Sequence, residues 1–281
     1  MSRAGRWVSR SRHQRSTRPP AVAGSFYPSD RHALAGLVDG LLDAVDVPAG
    51  DRLAPAYCVP HAGYRYSGPT AAHPYARLRA HADRVGRVVV LGPAHHTPLR
   101  GCAVPATDAW VTPLGDVEID VTAARTLAAD GHVVVDDGPH GPEHSVEVQV
   151  PFLQRALPAG VPVLPILVGR STVEDLVVTI EAAVELAPPG TVLLCSTDLS
   201  HYLADDAARR QDARTARAVL DLAPERIGVR DACGVYALRG TVGWARHRGW
   251  RPQLLDLSTS ADTSGDTSRV VGYAAFAFEP A

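Results

Sequence analysis

Three short segments carry most of the chemistry in this chain. They are Pro60-His61-Ala62-Gly63-Tyr64, Gly92-Pro93-Ala94-His95-His96 and Ala232-Cys233-Gly234. Each sets a metal-ligating side chain near a glycine, and the first two follow apolar, strand-like runs. Two imidazoles and one thiolate converging from separate loops make a three-ligand site with a vacant position. Such open sites suit catalysis, because water, oxygen or substrate can take that position. The adjacent pair His95 and His96 cannot both face one site if extended, since neighbouring side chains diverge. One would ligate and the other would point into the pocket wall, and spacing alone does not choose.

A second group surrounds these residues. Asp198 and His201 lie three apart after a strand-like run. On a helical turn they would share a face, and Asp198 would orient His201 as an acid/base group. The alternative is that Asp198 or Ser200 caps the next helix. His144 and Glu147 are also one turn apart, with Glu147 a candidate to support the site and Glu143 either a cap or a crevice residue. Tyr64, Tyr66 and Tyr202 would supply pocket walls or core packing. Cys233 precedes a helix whose dipole would favour thiolate; its competing reading is an inert core cysteine. Cys58, Cys102 and Cys195 fall in strands and are expected in the core.

The elements that must position these groups follow from hydrophobic periodicity. Helices are expected over Asp30–Val45, Ser67–Ala80, Val121–Ala129, His144–Leu157, Thr172–Leu186, Asp205–Leu222 and Gly234–His247. Strands are expected over Ala54–Val59, Arg87–Leu91, Cys102–Ala106, His132–Val135, Val161–Val168, Val192–Cys195, Gln253–Leu257 and Arg269–Phe278. This alternation predicts an α/β fold: one layered domain with a largely parallel or mixed central sheet flanked by helices. Ligand sites in open α/β sheets gather outside the carboxyl ends of strands. His61, His95 and Asp198 all follow strand candidates, so they are expected to share one crevice. Ser258–Ser268 reads as a polar loop, either a lid or a disordered surface segment.

Composition narrows the function classes. The 281 residues are 46% hydrophobic, enough for a large buried core. No run of 18 or more apolar residues occurs, so no membrane span is expected, and no secretory leader pattern is visible. Four dispersed cysteines suit a reducing, cytoplasmic setting. Residues 1–18 hold six arginines and no acid, which reads as a basic disordered tail ahead of a single domain over 19–281. Beyond the tail, 22 basic side chains face 30 acidic ones, which argues against nucleic-acid binding.

At this point the sequence resembles a known family. Ala23–Pro28, Pro60–Gly68, Leu91–His96, Glu143–Phe152, Pro165–Gly169, Ser196–Tyr202 and Ala232–Gly234 match, in order, the motifs of the Memo-like family, also called AmmeMemoRadiSam system protein B. The resemblance implies the fold of the class III extradiol ring-cleaving dioxygenases, the LigB-like non-haem iron enzymes. In those enzymes two histidines and a glutamate hold the iron; in Memo-like proteins a cysteine replaces the carboxylate. Carried over, His61 and His95 match the histidine ligands, Cys233 the cysteine, His201 the further acid/base histidine and Asp198 an acidic pocket residue. Thiolate is softer than carboxylate, so iron is the first expectation and copper or zinc are alternatives. Ring cleavage does not carry over with the fold. The expected function is a metal-dependent, redox-active protein, an oxidoreductase of dioxygenase-like type, acting on a small molecule or peptide. A zinc hydrolase, with bound water near pKa ~7 and His201 as base, is one alternative. A peptide- or partner-binding module that reuses the crevice is another. The family's name also implies AMMECR-type and radical SAM partner proteins.

Overall fold

A computed structural model of the chain describes residues 15–186 and 189–281. In chain order the strands are β1 (Thr17–Arg18), β2 (Ala56–Val59), β3 (Arg87–Pro93), β4 (Cys102–Val104), β5 (Ala109–Thr112), β6 (Gly115–Glu118), β7 (Val134–Val135), β8 (Val163–Val168), β9 (Thr191–Ser196), β10 (His201–Leu203), β11 (Trp250–Thr259) and β12 (Val270–Pro280). The helices are α1 (Arg31–Asp43), α2 (Tyr64–Ala80), α3 (Val121–Ala129), α4 (Val150–Ala156), α5 (Val173–Glu185), α6 (Asp205–Leu220), α7 (Val235–His247) and α8 (Ala261–Ser264).

The main sheet runs β10-β12-β2-β9-β3-β8-β4-β7, and β11 pairs with β12. Its centre, β2-β9-β3-β8, is parallel; β12 joins β2 and β4 joins β8 in antiparallel fashion. The central strands are buried on both faces, which is why they read as continuous apolar runs. Side chains alternate between two cores. Cys58, Val89, Leu91, Ile166 and Cys195 pack on the α5–α7 side, while Tyr57, Val59, Val90, Leu167 and Leu194 pack on the α1, α2 and α4 side. Cys58, Cys102 and Cys195 are buried and free, as expected. The architecture is the expected mixed sheet flanked by helices.

Four departures matter for the site. The expected helix over His144–Leu157 forms only as a 3-10 turn at Glu147–Gln149 followed by α4. Residues 143–146 are therefore irregular and free to turn back on β3. The helix expected at Ser67 begins at Tyr64, whose N–H bonds the Phe26 carbonyl, and it runs through Pro69 and Pro74. Burial of Ala71, Ala72, Tyr75 and Leu78 outweighs the backbone bonds that proline removes. The polar stretch Ser258–Ser268 is not a bare loop: β11 extends through Thr259 and α8 follows, tied by Asp262 to the Thr259 N–H.

The fourth departure concerns the tail. Thr17–Arg18 pairs in parallel with β5, next to β6, in a second, three-stranded sheet. Arg18 is buried, ion-paired with Glu147 at 2.7 Å and stacked over Trp110. The ordered fold therefore begins before residue 19. Desolvated charge-assisted bonds, with a cation–π contact, recruit an arginine that composition alone assigns to a tail. The rest of that expectation, residues 1–14, lies outside the described residues.

Candidate metal centre

The sequence of the main sheet places three strand ends side by side. β2, β9 and β3 are neighbours, and His61, Asp198 and His95 lie in the segments just past their carboxyl ends. Cys233 arrives from the turn before α7. Gly234 makes that approach feasible: a Cβ there would lie 2.9 Å from Thr197 Cβ, and its N–H bonds Thr197 Oγ1. Gly92 plays the same part on the other side, since a Cβ there would meet Ser145 Oγ at 2.6 Å.

The donor atoms of His61, His95 and Cys233 all lie within 4.8 Å of one another. His61 is buried, Cys233 is half-buried and His95 is the most open. They sit in a crevice of about 880 Å³ that also exposes Phe26, Tyr66, His144, His201 and Asp198.

Hydrogen bonds fix which nitrogen of each imidazole is bare. The Pro60 carbonyl can only accept, so the Gln149 amide nitrogen must face it, at 3.0 Å, and the Gln149 oxygen accepts from Tyr75 Oη at 2.7 Å. The same amide nitrogen donates to Ser196 Oγ at 2.8 Å, and Ser196 Oγ–H donates to the Ser145 carbonyl at 2.6 Å. His61 Nδ1, 2.9 Å from Ser196 Oγ, is therefore left to donate. Its Nε2 is bare and faces Cys233 Sγ at 3.2 Å. His95 Nδ1 lies 2.9 Å from Glu143 Oε1, so in the neutral ring its Nε2 is bare as well. Metal-binding histidines commonly show this second partner.

Asp198 joins two of the ligand loops. Its carboxylate accepts the His61 N–H at 2.7 Å. Its own N–H donates to Cys233 Sγ at 3.3 Å, and its carbonyl accepts the Cys233 N–H at 3.2 Å.

Burial favours the neutral forms of His61 and Cys233. Burial holds the His61 imidazole well below its usual range, with the nearby His95 and His144 rings acting in the same direction. Burial pushes the Cys233 thiol well up, and the Asp198 carboxylate adds to it. Burial raises the Asp198 carboxyl to about 6, against the opposing pull of the His61 N–H. For Glu143 burial is outweighed by hydrogen bonds from His95 and the Ser145 N–H, which hold its carboxyl well below the usual range. Burial lowers His144 to about 4.

The remaining expected residues divide. His201 lines the crevice and belongs to neither cluster of mutually close donors among the described residues. Its Nδ1 is 2.8 Å from the Leu199 carbonyl, which leaves Nε2 bare. Asp198 does not hydrogen-bond to it, because 198–200 are not helical and His201 begins β10. Neither Asp198 nor Ser200 caps α6, which starts at Asp205; Ser200 instead bonds Asp212. His144 lines the crevice and stacks on His95 at 4.7 Å.

Glu147 is not a crevice residue. Arg18, Tyr27 Oη and the Ala21 and Val22 N–H groups occupy its carboxylate. Tyr64 is also structural: its hydroxyl donates to the Val148 carbonyl and its ring packs on Phe152. His96 is exposed, touches the edge of the His144 ring and does not line the crevice. The residues that sequence reasoning missed are Ser196, Gln149 and, as the partner of His95, Glu143. All three lie inside the matched motifs, which was the available signal.

Comparison with known proteins identifies relatives of the chain. A sequence model described as Memo-like protein matches residues 18–277. A MEMO1 family protein of Methanopyrus kandleri is 38% identical, over 93% of this chain and 98% of its own length. Others from Methanococcoides burtonii and Ignicoccus hospitalis are 36% identical over 92% and 93% of this chain and 98% of theirs. The crystal structure of an uncharacterized protein from Escherichia coli K12 superposes with a TM-score of 0.52 at 13% identity, covering 80% of this chain and 99% of that one, which is a likeness of fold. By its sequence over nearly its whole described length, this chain belongs to the Memo-like family.

Proposed function

We propose that this chain is a metal-dependent, redox-active protein whose open centre is formed by His61 Nε2, His95 Nε2 and Cys233 Sγ. The observation that supports this best is the convergence of those three donors within 4.8 Å at the crevice, with both imidazoles presenting bare nitrogens. The donor set fits a first-row metal: two borderline imidazoles and one soft thiolate suit iron, copper or zinc. Iron comes first through the likeness to extradiol dioxygenases. A metal bound there would supply Lewis acidity and, if iron or copper, electron exchange.

The chain's own residues would do the rest. Glu143 aims His95, and Ser196 aims His61. Asp198 ties the His61 loop to the Cys233 loop. His201, with its Nδ1–H on a backbone carbonyl, holds a bare Nε2 toward the crevice, where it takes or gives a proton. The free cysteines fit a reducing, cytoplasmic setting, and AMMECR-type and radical SAM proteins are the partners to test.

Protein purified without chelator should carry about one metal per chain. His61→Ala and Cys233→Ser should lose it at little cost in folding. Variants that bind metal as well as the parent would refute the site. Anaerobic Fe(II) loading followed by nitric oxide separates the redox reading from the hydrolytic one. A spectroscopic change that needs Cys233 supports iron; tight zinc and spectroscopic silence support the hydrolase.

A further inference from the structure

The crevice is unevenly furnished. His61 and Asp198 are buried at its floor, and Phe26, Tyr66 and Tyr273 form aromatic walls. Exposed residues at its mouth include Tyr202, Val229, Arg230 and Arg269. Arg230 and Arg269 are the arginines among its described lining residues, and neither guanidinium makes an ion pair with a described residue. Arg269 lies over the Tyr202 ring, 5.1 Å from its centre. A guanidinium held over a ring in this way can still offer N–H groups to an acceptor.

The acids nearby are already engaged. Asp198 accepts the His61 N–H, and one Asp266 oxygen accepts both the N–H and the hydroxyl of Ser268. Tyr202 holds φ at 62°, a left-handed conformation that a tyrosine adopts only at a cost. The ring is thereby placed beside both His201, at 5.7 Å between ring centres, and Arg269. Asp266 keeps its charge at the mouth, so Arg230 and Arg269 leave an excess of one positive charge there, on a body rich in acids. The volume suits a small molecule, whose sites commonly measure ~300–1,000 Å³.

We propose that the crevice selects a small ligand with an oxyanion group, a carboxylate or phosphate, held by Arg230 and Arg269 at the mouth while its apolar body reaches inward along Phe26, Tyr66 and Tyr273. This rests on the reading of the crevice as the working site. It adds a substrate class: the ligand is anionic, flat enough to lie against aromatic walls, and enters with its charged end outermost.

The test compares three probes of similar shape on the full-length protein: phenylacetate, phenyl phosphate and neutral phenylacetamide. Binding is followed by calorimetry and by ligand-observed NMR. At least one anionic probe should bind about tenfold more tightly than the amide, the margin of one charge-assisted contact. Preference for phenylacetate identifies a carboxylate, and preference for phenyl phosphate identifies a phosphate. The advantage should vanish in the Arg230→Gln/Arg269→Gln double variant, whose fold is checked by circular dichroism, and should survive in part in Arg269→Lys. Equal affinity for charged and neutral probes, no binding of either anion, or an advantage untouched by the double substitution would each overturn the proposal. Repeating the series on His61→Ala separates the two ideas. The anion preference should persist there even as metal is lost, so a failed metal centre and a failed anion site give different results.

Discussion

His61 Nε2 and Cys233 Sγ face each other at 3.2 Å, from residues 172 apart in sequence. Burial depresses the imidazole and raises the thiol, so both shifts favour a neutral pair in which the thiol donates to the ring. A metal would replace that shared proton. Because burial keeps His61 neutral near pH 7, that ligand has no proton to lose, and metal loading should release about one proton from Cys233. Calorimetry in buffers of different ionisation enthalpy measures that number. A value near zero would mean that Cys233 does not ligate as thiolate.

Ser196 sets the tautomer of His61, so its loss should show in metal affinity before it shows in fold. Ser196→Ala removes the acceptor for His61 Nδ1–H and leaves the Gln149 amide short of a partner. Metal affinity should fall about 10–100-fold, the usual cost of losing an outer partner of a ligating histidine. Gln149→Leu should act in the same direction. The nitrogen NMR shifts of His61 should show a mixed tautomer in Ser196→Ala; an unchanged tautomer would refute the relay.

Glu143 and Glu147 sit four residues apart and should respond oppositely. Glu143→Gln disturbs the acceptor of His95 Nδ1, and metal affinity should drop. Glu147→Gln breaks a buried pair with Arg18 whose two side chains are 5% and 1% exposed. It should cost about 3–5 kcal/mol of stability while folded protein keeps its affinity for metal. Denaturant melts beside metal titrations check both. Weakened metal binding in Glu147→Gln at full folding would reverse the assignment.

The contrast between those two carboxylates shows what local sequence reveals. His61 was legible because it stands near a glycine at a strand end, where backbone can approach closely; the choice of His95 over His96, and of Cys233 as a ligand, came mainly from the family motifs. The apolar runs at Arg87–Leu91 and Val192–Cys195 likewise exposed the central strands, since burial on both faces leaves an unbroken signature. Glu147 was misread because its partner, Arg18, lies 129 residues away and looks like part of a tail. Glu143 was left open because a helix expected from His144 would have turned it elsewhere; the helix starts at Val150. The β5–β6 hairpin, the two-residue β1 and the three-residue β10 are too short or too mixed in pattern to register as periodic strands. Ser196 and Gln149 gave no signal as single residues, because their function is a hydrogen-bond direction set by tertiary contacts.

His140 offers a pH test away from the metal donors. It is buried against Trp110, and its Nε2 lies 3.2 Å from the Ala103 carbonyl. Burial depresses it to about 4, with the Arg18 charge in support and the backbone bond and Asp136 and Asp137 opposing. A depressed base stabilises the fold above its ordinary pKa, and that contribution fades as pH falls from 6.5 through about 4. At most it amounts to about 3 kcal/mol. His61 and His144 act in the same sense, and Asp198, raised to about 6, acts in the opposite sense. His140→Gln should therefore make melting temperature less steep between those pH values without flattening it. An unchanged slope would show that His140 titrates normally.

His201 and Asp198 complete the test of the centre, and their order of importance follows from their partners. His201 is held by the Leu199 carbonyl and shares no tight donor cluster with His61, His95 and Cys233 among the described residues. His201→Ala should retain one metal per chain while proton transfer in the crevice slows by about 10²–10⁴-fold in any reaction the loaded protein supports. Asp198 binds no imidazole, yet its carboxylate receives the His61 N–H and its backbone brackets Cys233. Asp198→Asn keeps the shape but weakens acceptance at the His61 loop, so it should lower metal affinity more than His201→Ala does. Elemental analysis of the two variants decides the matter. If His201→Ala loses metal and Asp198→Asn does not, the centre has a fourth protein ligand, and the open position that catalysis needs is closed.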